Sequence, residues 1–85
     1  MKLPLIKHLV QFVEENDEDY VNETLEVLEH ITDYQGIKDD EIDVLGEMIT
    51  NLYGALEVTH EMKKGTPQRE ALNGFMKRVQ GSIDL

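Results

Sequence analysis

The sequence predicts an all-α fold: a small three- or four-helix bundle around one long central helix spanning about residues 40–64. Three observations carry this expectation. Ile42, Leu45, Ile49, Leu52 and Leu56 recur at alternating three- and four-residue steps, which sets them on one stripe of a helix, and no proline interrupts Asp39 to Gly65. Such a helix is roughly 37 Å long at about 1.5 Å per residue, too long for one short neighbour to cover. Three other segments show a helical apolar period, and none alternates apolar and polar residues as a strand does.

The first helix is expected over about 4–15. Pro4 suits a first helical turn, where its missing N–H costs nothing. Leu5, Ile6, Leu9, Val10, Phe12 and Val13 share its inner face. The second is expected over about 17–33, with Asn16 or Asp17 as cap and acids where the helix dipole favours them. Its inner face reads Tyr20, Val21, Thr24, Leu25, Leu28 and Ile31, and Gly36 offers a stop with positive φ.

The central helix opens on Asp39 and Asp40 and closes on Lys63-Lys64-Gly65, charges that suit its dipole at both ends. Val44, Met48, Ala55 and Met62 flank its main stripe, so its apolar arc is wide enough for two or more neighbours. Gly46 and Gly54 lie inside it, at about 1 kcal/mol each relative to alanine. They imply close approach of another backbone or, at Gly54, a kink, and periodicity does not choose between these. Thr66-Pro67 reads as a capped restart of a fourth helix over about 67–80, with Ala71, Leu72, Phe75, Met76 and Val79 inside and Gly81 as its end. Residues 82–85 form a short tail, frayed unless Ile83 or Leu85 finds a pocket. The 85 residues make a single domain, and the short connections favour antiparallel packing of consecutive helices.

Composition narrows the function classes. Hydrophobic residues are 40% of the chain, enough to build a core rather than a disordered coil. A domain this small has a thin stability margin, and with no cysteine to form disulfides, oligomerisation is the available remedy. The net charge of −10 is uneven: residues 1–62 hold 16 acids and three bases, residues 63–85 two acids and five bases. A surface of this sign repels phosphate backbones and anionic lipid, which disfavours nucleic acid and membrane as partners. It also suits docking of the basic C-terminal region on an acidic surface, the chain's own or a partner's. Lys7 and His8 break the only apolar run near the N-terminus, so no signal peptide is read, and no stretch reaches membrane-spanning length. The expected location is the cytoplasm.

Each chemical constellation in the chain has a plainer reading beside it. Glu57 and His60 show the Glu-x-x-His spacing of di-iron bundles, but Glu26 with His30 has the wrong spacing to complete a site. His60-Glu61-Met62-Lys63-Lys64-Gly65 is similar to a histidine-phosphotransfer motif, with Lys63 in place but Lys64 where glycine belongs. Asp17-x-Asp19 and Asp39-x-Glu41-x-Asp43 resemble the opening of an EF-hand loop but lack its sixth-position glycine and twelfth-position glutamate. Ser82 is the only serine and stands in no Asp-Ser-Leu setting, so the resemblance to acyl carrier proteins fails. There is no glycine-framed nucleophile elbow and no phosphate-binding glycine loop, and Arg69 and Arg78 are too few for an arginine-clamped mutase.

Four blocks together resemble an uncharacterised family of short acidic bacterial helical proteins, a domain of unknown function. They are Met1-Lys2-Leu3-Pro4, Glu14-Glu15-Asn16-Asp17-Glu18-Asp19-Tyr20, Leu52-Tyr53-Gly54-Ala55-Leu56-Glu57-Val58 and Phe75-Met76-Lys77-Arg78-Val79. The resemblance spans nearly the whole chain. It implies a compact bacterial cytosolic protein and carries over no activity, cofactor or site residue.

The expectation is therefore a non-enzymatic protein-interaction module or homodimer, with no catalytic residue, cofactor or metal. Its partner is a second copy, an unidentified protein, or both. The candidate contact residues are Tyr34, Ile37, Met48, Met62, Lys77 and Arg78, with Tyr34 and Ile37 as a loop patch. The alternatives are a phosphotransfer protein using His60 and a metal-binding bundle.

Overall fold

The computed structural model describes residues 2–83, with side chains through Val79. Four helices follow one another: α1 (Leu3–Glu15), α2 (Asp19–Thr32), α3 (Asp39–Lys63) and α4 (Gln68–Ile83). No strand occurs among the described residues. α3 is the strut, touching each of the other three, while α1 and α4 also meet. The bundle is flat, with extents of 43 × 34 × 17 Å.

Cap chemistry fixes the boundaries. Pro4 stands in the first turn of α1, and Asn16 closes that helix: both its backbone N–H and its side-chain amide donate to the Phe12 carbonyl. Asn16 thus ends α1, and Asp17 opens α2 by accepting the Asp19 N–H at 3.1 Å. α3 starts where the Glu41 carboxylate reaches back to accept the Lys38 N–H at 3.0 Å. It ends in a Schellman turn, with Gly65 at φ +104°, its N–H donating to the Met62 carbonyl and the Thr66 N–H to the Glu61 carbonyl.

Three local expectations are corrected. Gly36 does not carry the positive φ, because the Ile37 N–H closes a turn on the Tyr34 carbonyl without any left-handed residue. Its missing side chain instead leaves room for the Tyr34 ring, which a Cβ would meet at 2.7 Å. Thr66 does not cap α4: its hydroxyl turns back to the Glu61 carboxylate at 3.4 Å, and Pro67 supplies the first accepting carbonyl, to Ala71. α4 also continues past Gly81 to Ile83, since a helix absorbs one glycine at about 1 kcal/mol. The Leu85 and Ile83 side chains, and with them the proposed pocket for the tail, lie outside the described residues.

The core has two clusters. Ile6 and Val10 of α1, Ala55 and Val58 of α3, and Ala71, Leu72 and Phe75 of α4 form the larger. Val13, Val21, Leu25 and Leu56 form the smaller, with Ile49 and Leu52 packed against it. α1 runs parallel to α3: the Lys2 N–H donates to Asn51, and Ile6 sits at Gly54. Gly54 serves close approach, because a Cβ there would lie 2.7 Å from the Phe75 ring and 3.1 Å from Ile6. α3 is one unbroken helix across it.

Burial on α3 departs from the expected stripe. Its buried residues are Asn51, Gly54, Ala55, Leu56, Val58 and Thr59, all in the C-terminal half. Of the predicted stripe only Leu56 is buried; Ile42 is exposed, and Leu45, Ile49 and Leu52 are half-covered. Three helices crowd the C-terminal half, so the small residues go innermost there. Asn51 is satisfied in the core by donating to the Glu47 carbonyl and accepting from Lys2, and Thr59 by donating to the Ala55 carbonyl. Phe12, Tyr20, Thr24 and Ile31, expected inside, are exposed.

Candidate functional site

Two stripes converge on one groove. On α3, Val44, Met48, Asn51, Ala55, Val58 and Met62 recur at alternating four- and three-residue steps, so they line up along the helix. From Asn51 onward this stripe seats α1. Toward the N-terminus it continues as Met48 and Val44, 46% and 58% exposed. On α2, Tyr20, Val27 and Ile31 share one face, and Tyr34 follows just past the end of the helix. Tyr20 meets Phe12 of α1 edge to face, with ring centroids 5.8 Å apart. Val27 and Tyr34 are 60% and 69% exposed.

α1 packs on α3 and α4, with Phe12 and Val13 reaching α2, and beyond its N-terminal end Val44 of α3 faces Ile31 and Tyr34 across a channel. This channel is a shallow, mainly apolar concavity lined by Ile31, Tyr34, Ile37, Val44 and Leu45, with Asp40 and Glu41 at its edge. Large exposed apolar side chains gathered in one concavity distinguish a contact surface from the scattered hydrophobes of any surface.

On the other flank of α2, the Tyr53 hydroxyl donates to the Glu29 carboxylate at 2.5 Å and ties α2 to α3. That bond, with desolvation and the nearby negative charge, holds the phenol above its ordinary value of 10.0.

Of the six contact residues expected from sequence, the structure brings Tyr34 and Ile37 together in this groove, and Met48 stands exposed one turn beyond Val44 on α3. It places the others elsewhere. Met62 packs half-buried on the larger core cluster. Lys77 is exposed on α4, and Arg78 pairs with Glu57 of α3, which raises its pKa further. The basic C-terminal region does dock on the chain's own acids: besides Arg78, Lys63 lies 3.8 Å from Glu18 and Lys64 3.6 Å from Glu61. Val27, Ile31 and Val44 were missed as surface residues. A signal was present in the second stripe of α3, which Val44 and Met48 share with Ala55.

His60 is exposed near the C-terminal end of α3, with its Nε2 2.9 Å from the Glu18 carboxylate. The same carboxylate faces Lys63, so the three side chains latch the α1–α2 turn to α3. A phosphoryl group on Nε2 would have to displace Glu18 and then sit beside its charge. Glu57, the partner in Glu-x-x-His, is engaged with Arg78. Among the described residues no three His, Asp or Glu side chains converge as metal ligands would. Among them, too, no helix is long and apolar enough to cross a membrane.

No curated protein and no solved structure matches the chain. A family model does match it, over residues 1–84, and the chain belongs to that family: DUF6952, a family of unknown function.

Proposed function

We propose that this chain is a non-enzymatic protein-interaction module of the cytoplasm, and that its contact surface is the open end of the α2–α3 groove. The observation that carries the reading is the exposure of large apolar side chains around that concavity, Ile31, Tyr34 and Val44, with Met48 exposed one turn further along α3. A chain of this acidity gains nothing in solubility from leaving such residues uncovered. The absence of cysteine from the sequence agrees with a reducing compartment.

The phosphotransfer and metal-binding alternatives have less support, since His60 and Glu57 are each engaged with a partner of opposite role. A homodimer remains one form of the interaction reading, distinguished below by mass.

A photoreactive benzoylphenylalanine placed at Met48, and separately at the exposed His8 of α1, tests the reading in cells of the native host. The expected result is a discrete protein adduct at Met48 and none at His8. An adduct of twice the chain's mass identifies a second copy, and any other mass a distinct partner. Equal labelling at both positions, or none at Met48, overturns the proposal.

A further inference from the structure

The charge around the groove selects its occupant. From Asp19 to Thr50 the chain carries ten Asp or Glu residues and a single lysine, Lys38. Asp40 and Glu41 stand at the groove edge itself, and His30 and Asp33 border Ile31 and Tyr34 on the neighbouring surface. A second copy laid symmetrically on this face would bring two such acidic rims together, and like charges across an interface oppose association. The chain's own basic region is a weaker occupant from another copy, because three of its five bases, Lys63, Lys64 and Arg78, already pair with Glu18, Glu61 and Glu57.

The shape selects it further. α1 shows how a helix seats on this stripe of α3: Ile6 and Val10 pack on α3 and α4, and Val13 reaches Val21 and Leu25 of α2. Ile6, Val10 and Val13 are four and three residues apart, the anchor spacing of a helix laid in a groove. From Asp40 to Met48 the open face extends for about 12 Å along α3 at 1.5 Å per residue.

We infer that the open end of the α2–α3 groove binds a cationic amphipathic helix of another protein, lying end to end with α1. Its apolar anchors meet Ile31, Val44 and Met48, and its lysines or arginines meet the acidic rim. This inference rests on the interaction reading above and adds the chemistry of the partner to it.

The test uses a designed helical peptide of about 15 residues, long enough to cover the open face, with leucines at i, i+4 and i+7 and lysines elsewhere. Its counterpart has glutamate at every lysine position. Binding is read by fluorescence anisotropy against the full chain and against the doubly substituted Ile31→Ser, Val44→Ser chain. That variant keeps every charge, and its fold is checked by circular dichroism.

The expected result is saturable, salt-weakened binding of the lysine peptide, at least about tenfold weaker with the double variant and with the glutamate peptide. Equal binding to parent and variant means charge attraction without a groove and overturns the inference. So does failure of the lysine peptide to bind. Sedimentation that shows a dimer abolished by the double substitution overturns it in favour of a second copy. In each of these cases a Met48 adduct in cells leaves the interaction reading standing; loss of the adduct ends both.

Discussion

The two halves of α3 are built on the same helical period and buried to opposite degrees. From Asn51 to Thr59, three helices close on the strut, and its innermost positions are an asparagine, a glycine, an alanine, a valine and a threonine. From Asp39 to Thr50 no residue is buried, although Ile42, Val44, Leu45, Met48 and Ile49 are large and apolar. Size and burial are thus inverted along one helix. Where neighbours crowd in, small side chains let backbones approach; where large side chains stand, the described neighbours leave them exposed or half-covered. That contrast is the physical basis for reading one half as core and the other as contact surface.

The largest effect should come from emptying the crowded half. Phe75 is buried against Gly54, and Phe75→Ala should cost about 3–5 kcal/mol. The total stability of a domain this small is on the order of 5 kcal/mol, so the variant should be largely unfolded by circular dichroism at 25 °C. Retention of a cooperative melt near that of the parent would break the comparison.

The two glycines of α3 sharpen it. Gly54→Ala forces a methyl group to within 2.7 Å of the Phe75 ring, which is itself buried and cannot swing away. Overpacking costs about 1–3 kcal/mol, offset in part by about 1 kcal/mol of better helix propensity, so urea unfolding should show a net loss. Gly46→Ala meets nothing within 4 Å. It should raise stability by about 0.5–1 kcal/mol, because only the propensity changes. Two shifts of the same sign would mean that both halves share one environment.

The smallest effect concerns the tie between α2 and α3. The Tyr53 phenol is held above its ordinary value by the Glu29 carboxylate, so the folded state keeps that proton where the unfolded state loses it. Its contribution is fully present below pH about 10 and fades as pH rises through the raised folded value. Tyr53→Phe should therefore lower the neutral baseline slightly and flatten the alkaline fall of stability. An unchanged alkaline limb would remove the tie.

Much of the architecture was legible from residues alone. Pro4, the acids before α3 and Lys63-Lys64-Gly65 act locally, through caps and dipoles, and the helices start and stop within three residues of expectation. The inner face of α4 was legible too, because Ala71, Leu72 and Phe75 form a single buried stripe. The seat of α1 on α3 was not, because a periodic pattern scores large apolar residues, whereas a site approached from three sides favours small ones and admits Asn51 and Thr59 when their hydrogen bonds close locally. Nor does a helical wheel reveal where a neighbour stops. α1 ends beside Asn51, and that alone turns Met48 and Val44 from core candidates into surface. Tyr34 and Ile37 were found because a loop aromatic beside a glycine is conspicuous in sequence; Ile31 looked like any inner-face residue, and Val27 belonged to no stripe that the sequence singled out.

Hydrogen exchange along α3 tests the central contrast most directly. Amides of residues 54–62 should exchange only through global unfolding, and those of residues 43–48 at least about tenfold faster, through local opening of the uncovered half. Equal protection across all of α3 would contradict the account, since it would mean that the N-terminal half is held as firmly as the half that three helices enclose.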